Sequence, residues 1–163
     1  MHSFTADICD KYQDKVGVLG PEYKNFGGTN TVYGEIVTIK LKRDNQGLIS
    51  LLKQEGKDRV VAVDVEGEYF AVVGENLVKL AFRNGWRGIV INGYVRDTHI
   101  TPLVPVGLWA LGSCPRKSFE KNNSFIGTEL NFNGVKIKSG DYLLADLDGI
   151  VIIPKKIAPE IFG

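Results

Sequence analysis

The stretch from Gly74 to Asp97, GENLVKLAFRNGWRGIVINGYVRD, confines this chain to a small set of folds. Leu77, Leu80 and Ala81 recur at three- and four-residue spacing, one face of a helix. Glu75 and Lys79 are spaced for an i,i+4 pair on the outer side. Gly85 can stop the helix in the left-handed conformation. Ile89-Val90-Ile91 then reads as a short buried strand ended by Asn92-Gly93, with Arg96-Asp97 just beyond. Upstream, residues 59–65 (RVVAVDV) form another apolar strand. Strand, helix, strand is a parallel crossover unit, right-handed by the usual rule. Such a unit brings the N-terminus of its helix and the C-terminal end of its second strand to one edge of the sheet, the edge where open α/β sheets bind ligands. The amides around residues 74–77 and the side chains of Arg96 and Asp97 should therefore converge. Amides and a guanidinium suit an anion, while a carboxylate suits a metal or a proton.

The rest of the chain supplies strands around that unit. Residues 5–12 read as a short helix, with Thr5 as N-cap and Ile8, Cys9 and Tyr12 on one side. Residues 21–30 read as loop with a Gly27-Gly28 turn, and residues 33–41 (YGEIVTIKL) as an alternating strand. A turn over residues 44–47 leads to a helix over 48–55, stopped by Gly56. Residues 69–73 and 108–111 are further short strands, and residues 113–124 a polar, mobile loop. Asn133-Gly134 marks a hairpin within 130–137. Turns at 139–141 and 148–149 introduce strands at 142–145 and 150–153, the latter ended by Pro154. Many strands, few helices and mixed parallel and antiparallel signals predict an α/β fold, a layered sandwich.

With 163 residues, one domain with a substantial core is expected. Lys+Arg 20 against Asp+Glu 19 leaves a net charge of +1, so no global field directs the chain to nucleic acid or membrane. No apolar run reaches spanning length, and MHSFTADICD lacks a basic-then-apolar leader. Cys9 and Cys114 make no disulfide scaffold and read as reduced thiols, so the expected location is cytoplasmic.

The Gly74–Asp97 segment closely resembles the RraA-like family, which includes the regulator of ribonuclease E activity A and class II 4-hydroxy-4-methyl-2-oxoglutarate aldolases that also decarboxylate oxaloacetate. ADICDKYQDKV, NFGG, YGEIVTIK, RVVAVDV, LGSCPRKS and SGDYLLADLDGIVIIP match the family in order, so the likeness runs over nearly the whole chain. It implies a layered α/β/β-type sandwich with a mixed sheet, the swivelling β/β/α arrangement of phosphohistidine-like domains. The family's aldolases share an acidic residue, twenty intervening residues and Arg-Asp, and Glu75 with Arg96-Asp97 keeps that spacing. The acid is commonly Asp in the family and is Glu here. By resemblance, Glu75, Arg96 and Asp97 are the catalytic set. Arg96 holds the substrate carboxylate, and Asp97 holds a divalent metal, magnesium or manganese. Gly74, Glu75, Asn76 and Leu77 bind substrate through their backbone. The resemblance further implies a homotrimer with the pocket at a subunit boundary.

Read without the family, Arg96-Asp97 is also compatible with a surface ion pair, Glu75 with an acid favouring the helix dipole, and Asn76 with a helix cap. Asp146 and Asp148 read as turn acids, His99 as a surface histidine, and Cys114 and Lys117 as loop residues. Three readings follow, one of them a structural oligomer with a vestigial site. The first is a metal-dependent lyase on small 2-oxo acids, in which aldol cleavage and β-decarboxylation share the enolate of pyruvate. The alternative is a protein that binds and inhibits ribonuclease E with no chemistry of its own. The near-neutral charge gives that alternative protein contacts rather than direct nucleic-acid binding.

Overall fold

The computed structural model describes residues 4–162. In chain order come α1 (Thr5–Tyr12), β1 (Gly17–Val18), β2 (Lys24–Asn25), β3 (Val32–Lys40), α2 (Gln46–Leu52), β4 (Val60–Asp64), β5 (Ala71–Val73), α3 (Glu75–Arg83), β6 (Gly88–Asn92) and β7 (Tyr94–Val95). The remainder is rich in strands: β8 (Gly107–Ala110), β9 (Gly112–Ser113), β10 (Phe125–Ile126), β11 (Leu130–Phe132), β12 (Val135–Ile137), β13 (Tyr142–Asp146) and β14 (Gly149–Ile153), followed by α4 (Ala158–Phe162).

The main sheet is mixed, in the order β1-β14-β13-β3-β4-β6-β8-β2, with β10 also on β3. Its centre, β3-β4-β6-β8, is parallel. Every residue of β4 is buried, which explains why RVVAVDV carries no polar alternation: parallel strands are covered on both faces. Val61, Val63, Ile89 and Ile91 pack under α2 and α3, beside Leu48, Leu52, Val78 and Ala81. Val60, Ala62 and Val90 face the other way, onto Leu143, Ala145, Ile152 and Phe132. Because β13 and β14 belong to the same sheet, the second core exists only because the sheet curls over itself. Helices, central sheet and returning strands are thus the layers expected. Each fully buried Val, Leu or Ile contributes about 1.5–3 kcal/mol to holding them together. Among the described residues, no helix is long and apolar enough to cross a membrane.

Local expectations were met where a single residue decides the geometry. Gly85 has φ +81° and ends the crossover helix, and Asn133 and Gly134, at φ 52° and 98°, make the two-residue hairpin turn. Elsewhere distant partners shift the boundaries. Phe4, not Thr5, is the N-cap of α1. Thr5 instead donates from N–H and Oγ1 to Asp146 at 2.8 and 2.7 Å, tying the helix to the end of β13. The loop over 21–30 contains β2, which pairs with β8. Gly56 does not stop α2 through a left-handed φ; a Cβ there would lie 2.5 Å from Trp86 N, so it permits close approach of the chain after α3.

α2 begins two residues earlier than its apolar spacing suggests, and the cause lies outside it. Asp44 Oδ1 accepts the Gln46 N–H at 3.0 Å, and its Oδ2 accepts the Asn122 N–H at 2.8 Å. The hydrogen bonds from Asn122 and then Gln46 hold the Asp44 carboxyl below its ordinary 3.8, against burial and with help from Lys121. A depressed folded pKa contributes stability that is complete above the unfolded value and lost as pH falls through the folded one. Asp44→Ala is therefore expected to cost about 1–2 kcal/mol at pH 7. The deficit should shrink as the pH drops below 3.8, which urea midpoints at pH 7 and pH 3 would show.

Candidate functional site

The crossover brings Gly74 and Asp97 into contact at one sheet edge. β5 and β7 run parallel, and the Arg96 N–H donates to Val73 O at 2.9 Å, fixing the register where both strands end. Gly74 is the N-cap of α3 and offers no side chain to it. Asp97 does so instead: its Oδ2 accepts the Glu75 N–H at 2.8 Å. The chain turns at Asp97 with φ +61°, a conformation Asp tolerates better than most residues. Its carbonyl accepts the N–H groups of Ile100 and Thr101. A Cβ on Gly74 would lie 2.5 Å from Asp97 Oδ2 and 3.2 Å from Arg96 Cγ, so any larger residue would have to push the Asp97 carboxylate aside.

These residues line one end of a cleft of about 400 Å³. Helices α2 and α3 form its long walls, and Lys117 closes one side through a bridge to Ala71. Asn45 Nδ2 donates to Val72 O at 2.9 Å, which holds the start of α2 beside the start of α3. Asp97 is the only carboxylate among the lining residues, against the cations Lys53, Arg83, Arg96 and Lys117. Arg96 keeps its guanidinium largely available, since its hydrogen bond to Pro115 O is long at 3.5 Å.

Gly74, Asn76, Leu77, Arg96 and Asp97 all line the cleft. The Glu75 side chain does not: its Oε2 lies 2.6 Å from Lys79 Nζ on the outer face of α3. Helix geometry is the reason, because residues four apart share a face, and the face of 75 and 79 is turned from that of Leu77 and Leu80, which line the cleft. Leu77 and Leu80 are only half-buried and form cleft wall, while Val78 and Ala81 enter the core. His99 is exposed, Cys114 is buried, and neither lines the cleft. Asn45, Gln46, Lys53 and Arg83 escaped the sequence reading, and Lys117 read only as loop; nothing in the sequence announces that α2 faces α3.

A second polar group lies at the same sheet edge. Tyr23 Oη donates to Asn92 Oδ1 at 3.0 Å, and Asn92 Nδ2 donates to Asp64 Oδ1 at 3.0 Å. Burial first, then Glu22 and Asp64, push the Tyr23 hydroxyl up, so it stays a neutral donor. This chain is internally satisfied and serves packing.

The family model RraA-like, described as Aldolase/RraA, matches residues 5–152. The chain belongs to the RraA-like family. A Laribacter hongkongensis relative, provisionally named a 4-hydroxy-4-methyl-2-oxoglutarate aldolase, is 39% identical over 94% of this chain and 98% of its own. A Pseudomonas putida protein with the same provisional name is 38% identical over 96% of each. Among solved structures, the RNA-processing inhibitor RraA from Thermus thermophilis is 35% identical with a TM-score of 0.89, covering 95% of this chain and 94% of its own. The fold of this RraA-like chain is therefore that of a solved relative, curled mixed sheet included.

Whether the cleft of this RraA-like protein fits a metal is decided by its donors. Asp97 spends one oxygen on the α3 amide, and its Oδ1 accepts no hydrogen bond among the described residues. Those residues contain no group of three or more His, Cys, Asp or Glu that could hold an ion. One hard carboxylate oxygen with room for water suits magnesium or manganese, which keep several waters. The residues fit such a cation.

Proposed function

We propose that this RraA-like protein is a divalent-metal-dependent lyase acting on small 2-oxo acids, by aldol cleavage of 4-hydroxy-4-methyl-2-oxoglutarate and decarboxylation of oxaloacetate. One observation carries the reading: a guanidinium, a helix N-terminus and a single half-free carboxylate share one cleft. Arg96 and the amides of Asn76 and Leu77, unpaired as in any first helical turn, hold the substrate carboxylate. Asp97 would hold the cation, with Oδ1 the oxygen left free. That cation, when bound, supplies Lewis-acid stabilisation of the oxyanion that both reactions develop. Glu75 acts through its backbone, fixing Asp97, while Lys79 holds its side chain away. The provisional aldolase names of the relatives support the same class.

Arg96→Lys tests the assignment. It keeps the charge but loses the planar fork, so KM for oxaloacetate should rise roughly 10- to 100-fold, the equivalent of one or two charged hydrogen bonds. Glu75→Gln should change kcat/KM less than about threefold, because a side chain outside the cleft makes only a surface pair. Steady-state pyruvate release measures both. A Glu75→Gln variant as impaired as Arg96→Lys would return the carboxylate to the chemistry.

A second reading is favoured by the likeness to the solved RNA-processing inhibitor. In it, a homotrimer of this chain binds ribonuclease E by surface contact. Light scattering for the trimer and a pull-down with ribonuclease E test it independently of turnover.

A further inference from the structure

We propose that the groove between α2 and α3 is a second subsite of the cleft, in which Lys53 and Arg83 bind a terminal carboxylate of a long-chain 2-oxo dicarboxylic acid. This rests on the lyase reading above, and deepens it by naming which 2-oxo acids the cleft selects.

The two helices run side by side in the same direction. Their starts are joined by Asn45 Nδ2 to Val72 O at 2.9 Å, and their ends by Asn84 Nδ2 to Leu52 O at 2.8 Å. The groove therefore has a chemical polarity. At its beginning lie Arg96 and the free amides of α3. Along its middle run Ile49, Leu77 and Leu80, all half-buried and all lining the cleft. At its far end stand Lys53, just past the last turn of α2, and Arg83, the last residue of α3.

Two basic residues at helix C-termini need no ligand to explain them, because the dipole favours cations there. Two facts go beyond that account. Both side chains line the cleft rather than the outer faces of their helices. Neither is within salt-bridge distance of any carboxylate among the described residues, so both are free to take an anion in the cleft. With Arg96 and Lys117 facing only Asp97, the cleft holds an excess of positive charge that calls for a ligand with more than one negative group.

Length sets the class of ligand. Arg83 lies seven positions beyond Asn76 along the helix, a rise of roughly 10 Å. Side chains lean towards the helix N-terminus, which brings Lys53 and Arg83 partway back along the groove. Oxaloacetate, anchored at Arg96, is too short to touch the apolar wall and the cation pair together. A 2-oxo dicarboxylate with several methylenes between its ends would lay those methylenes on Ile49, Leu77 and Leu80 and place its second carboxylate between Lys53 and Arg83.

The test uses inhibition of oxaloacetate decarboxylation by two compounds of equal chain length, 2-oxosuberate, which ends in a carboxylate, and 2-oxooctanoate, which ends in a methyl. The parent protein should bind 2-oxosuberate roughly 10- to 100-fold more tightly, as expected for charged hydrogen bonds. Lys53→Gln/Arg83→Gln should remove that preference, and Lys53→Glu/Arg83→Glu should reverse it; all four substitutions are at exposed positions. A parent that decarboxylates oxaloacetate but does not distinguish the two inhibitors overturns the subsite and leaves the lyase reading standing. A preference that survives both double variants overturns the assignment to Lys53 and Arg83. A parent with no turnover in the presence of magnesium overturns the lyase reading itself. Direct binding of the two compounds, followed by calorimetry, then still decides whether the groove prefers the dicarboxylate.

Discussion

Asp97→Asn is expected to lower pyruvate release by roughly two to three orders of magnitude, the usual range for removing a group that stabilises a developing oxyanion. The amide is the informative replacement because the structure gives Asp97 two duties. Its Oδ2 caps α3 through the Glu75 N–H, and its φ of +61° suits Asp or Asn far better than Ala. Asparagine keeps the turn and an acceptor for the amide and removes only the charge that would hold a cation. Its thermal stability should stay close to that of the parent, and magnesium affinity should fall with activity. Asp97→Ala would lose the cap and strain the turn as well, so its loss of activity would not report on the metal alone. If binding of ribonuclease E is a separate role of this chain, Asp97→Asn should retain it.

Gly74→Ala should be nearly as damaging, for a purely steric reason. At φ −139° and ψ −156° the backbone is extended, and alanine adopts it without a left-handed penalty. The added methyl would lie 2.5 Å from Asp97 Oδ2, closer than a Cβ comes to any oxygen. Either Asp97 rotates off the Glu75 N–H or the end of β5 moves from Arg96. A displacement of this kind at a reacting centre costs on the order of 100-fold in rate. Circular dichroism should remain native while kcat/KM for oxaloacetate falls by that amount. Placing the same alanine in Asp97→Gly should add little further loss, because the atoms it would strike are gone.

What could be read from the sequence depended on how local its cause was. The unbroken apolar runs of β4 and β6 revealed buried parallel strands, and the helix between them fixed which ends must meet. Gly74, Arg96 and Asp97 could therefore be placed together before any coordinates. Glu75 shows the limit of spacing as a guide. Its position along the chain brings its amide to Asp97, but the turn of α3 takes its carboxylate to Lys79. The start of α2 was hidden because the Asp44 that caps it is itself held by Asn122, a partner 78 positions away. Lys53 and Arg83 were hidden for a related reason. Each looks like an ordinary basic residue at the end of a helix, and only the packing of α2 beside α3 turns both into one groove. The second core, in which Val60 and Ala62 meet Leu143 and Ala145, follows from sheet curvature, which no short-range pattern encodes.

The most direct test is pyruvate release from 4-hydroxy-4-methyl-2-oxoglutarate by the purified protein, first stripped with a chelator and then titrated with magnesium. Turnover should be abolished by the chelator, restored by magnesium or manganese, and lost in Asp97→Asn at every metal concentration short of large excess. Turnover that ignores the chelator, or that Asp97→Asn matches at equal magnesium, would contradict a metal-dependent lyase site at Asp97.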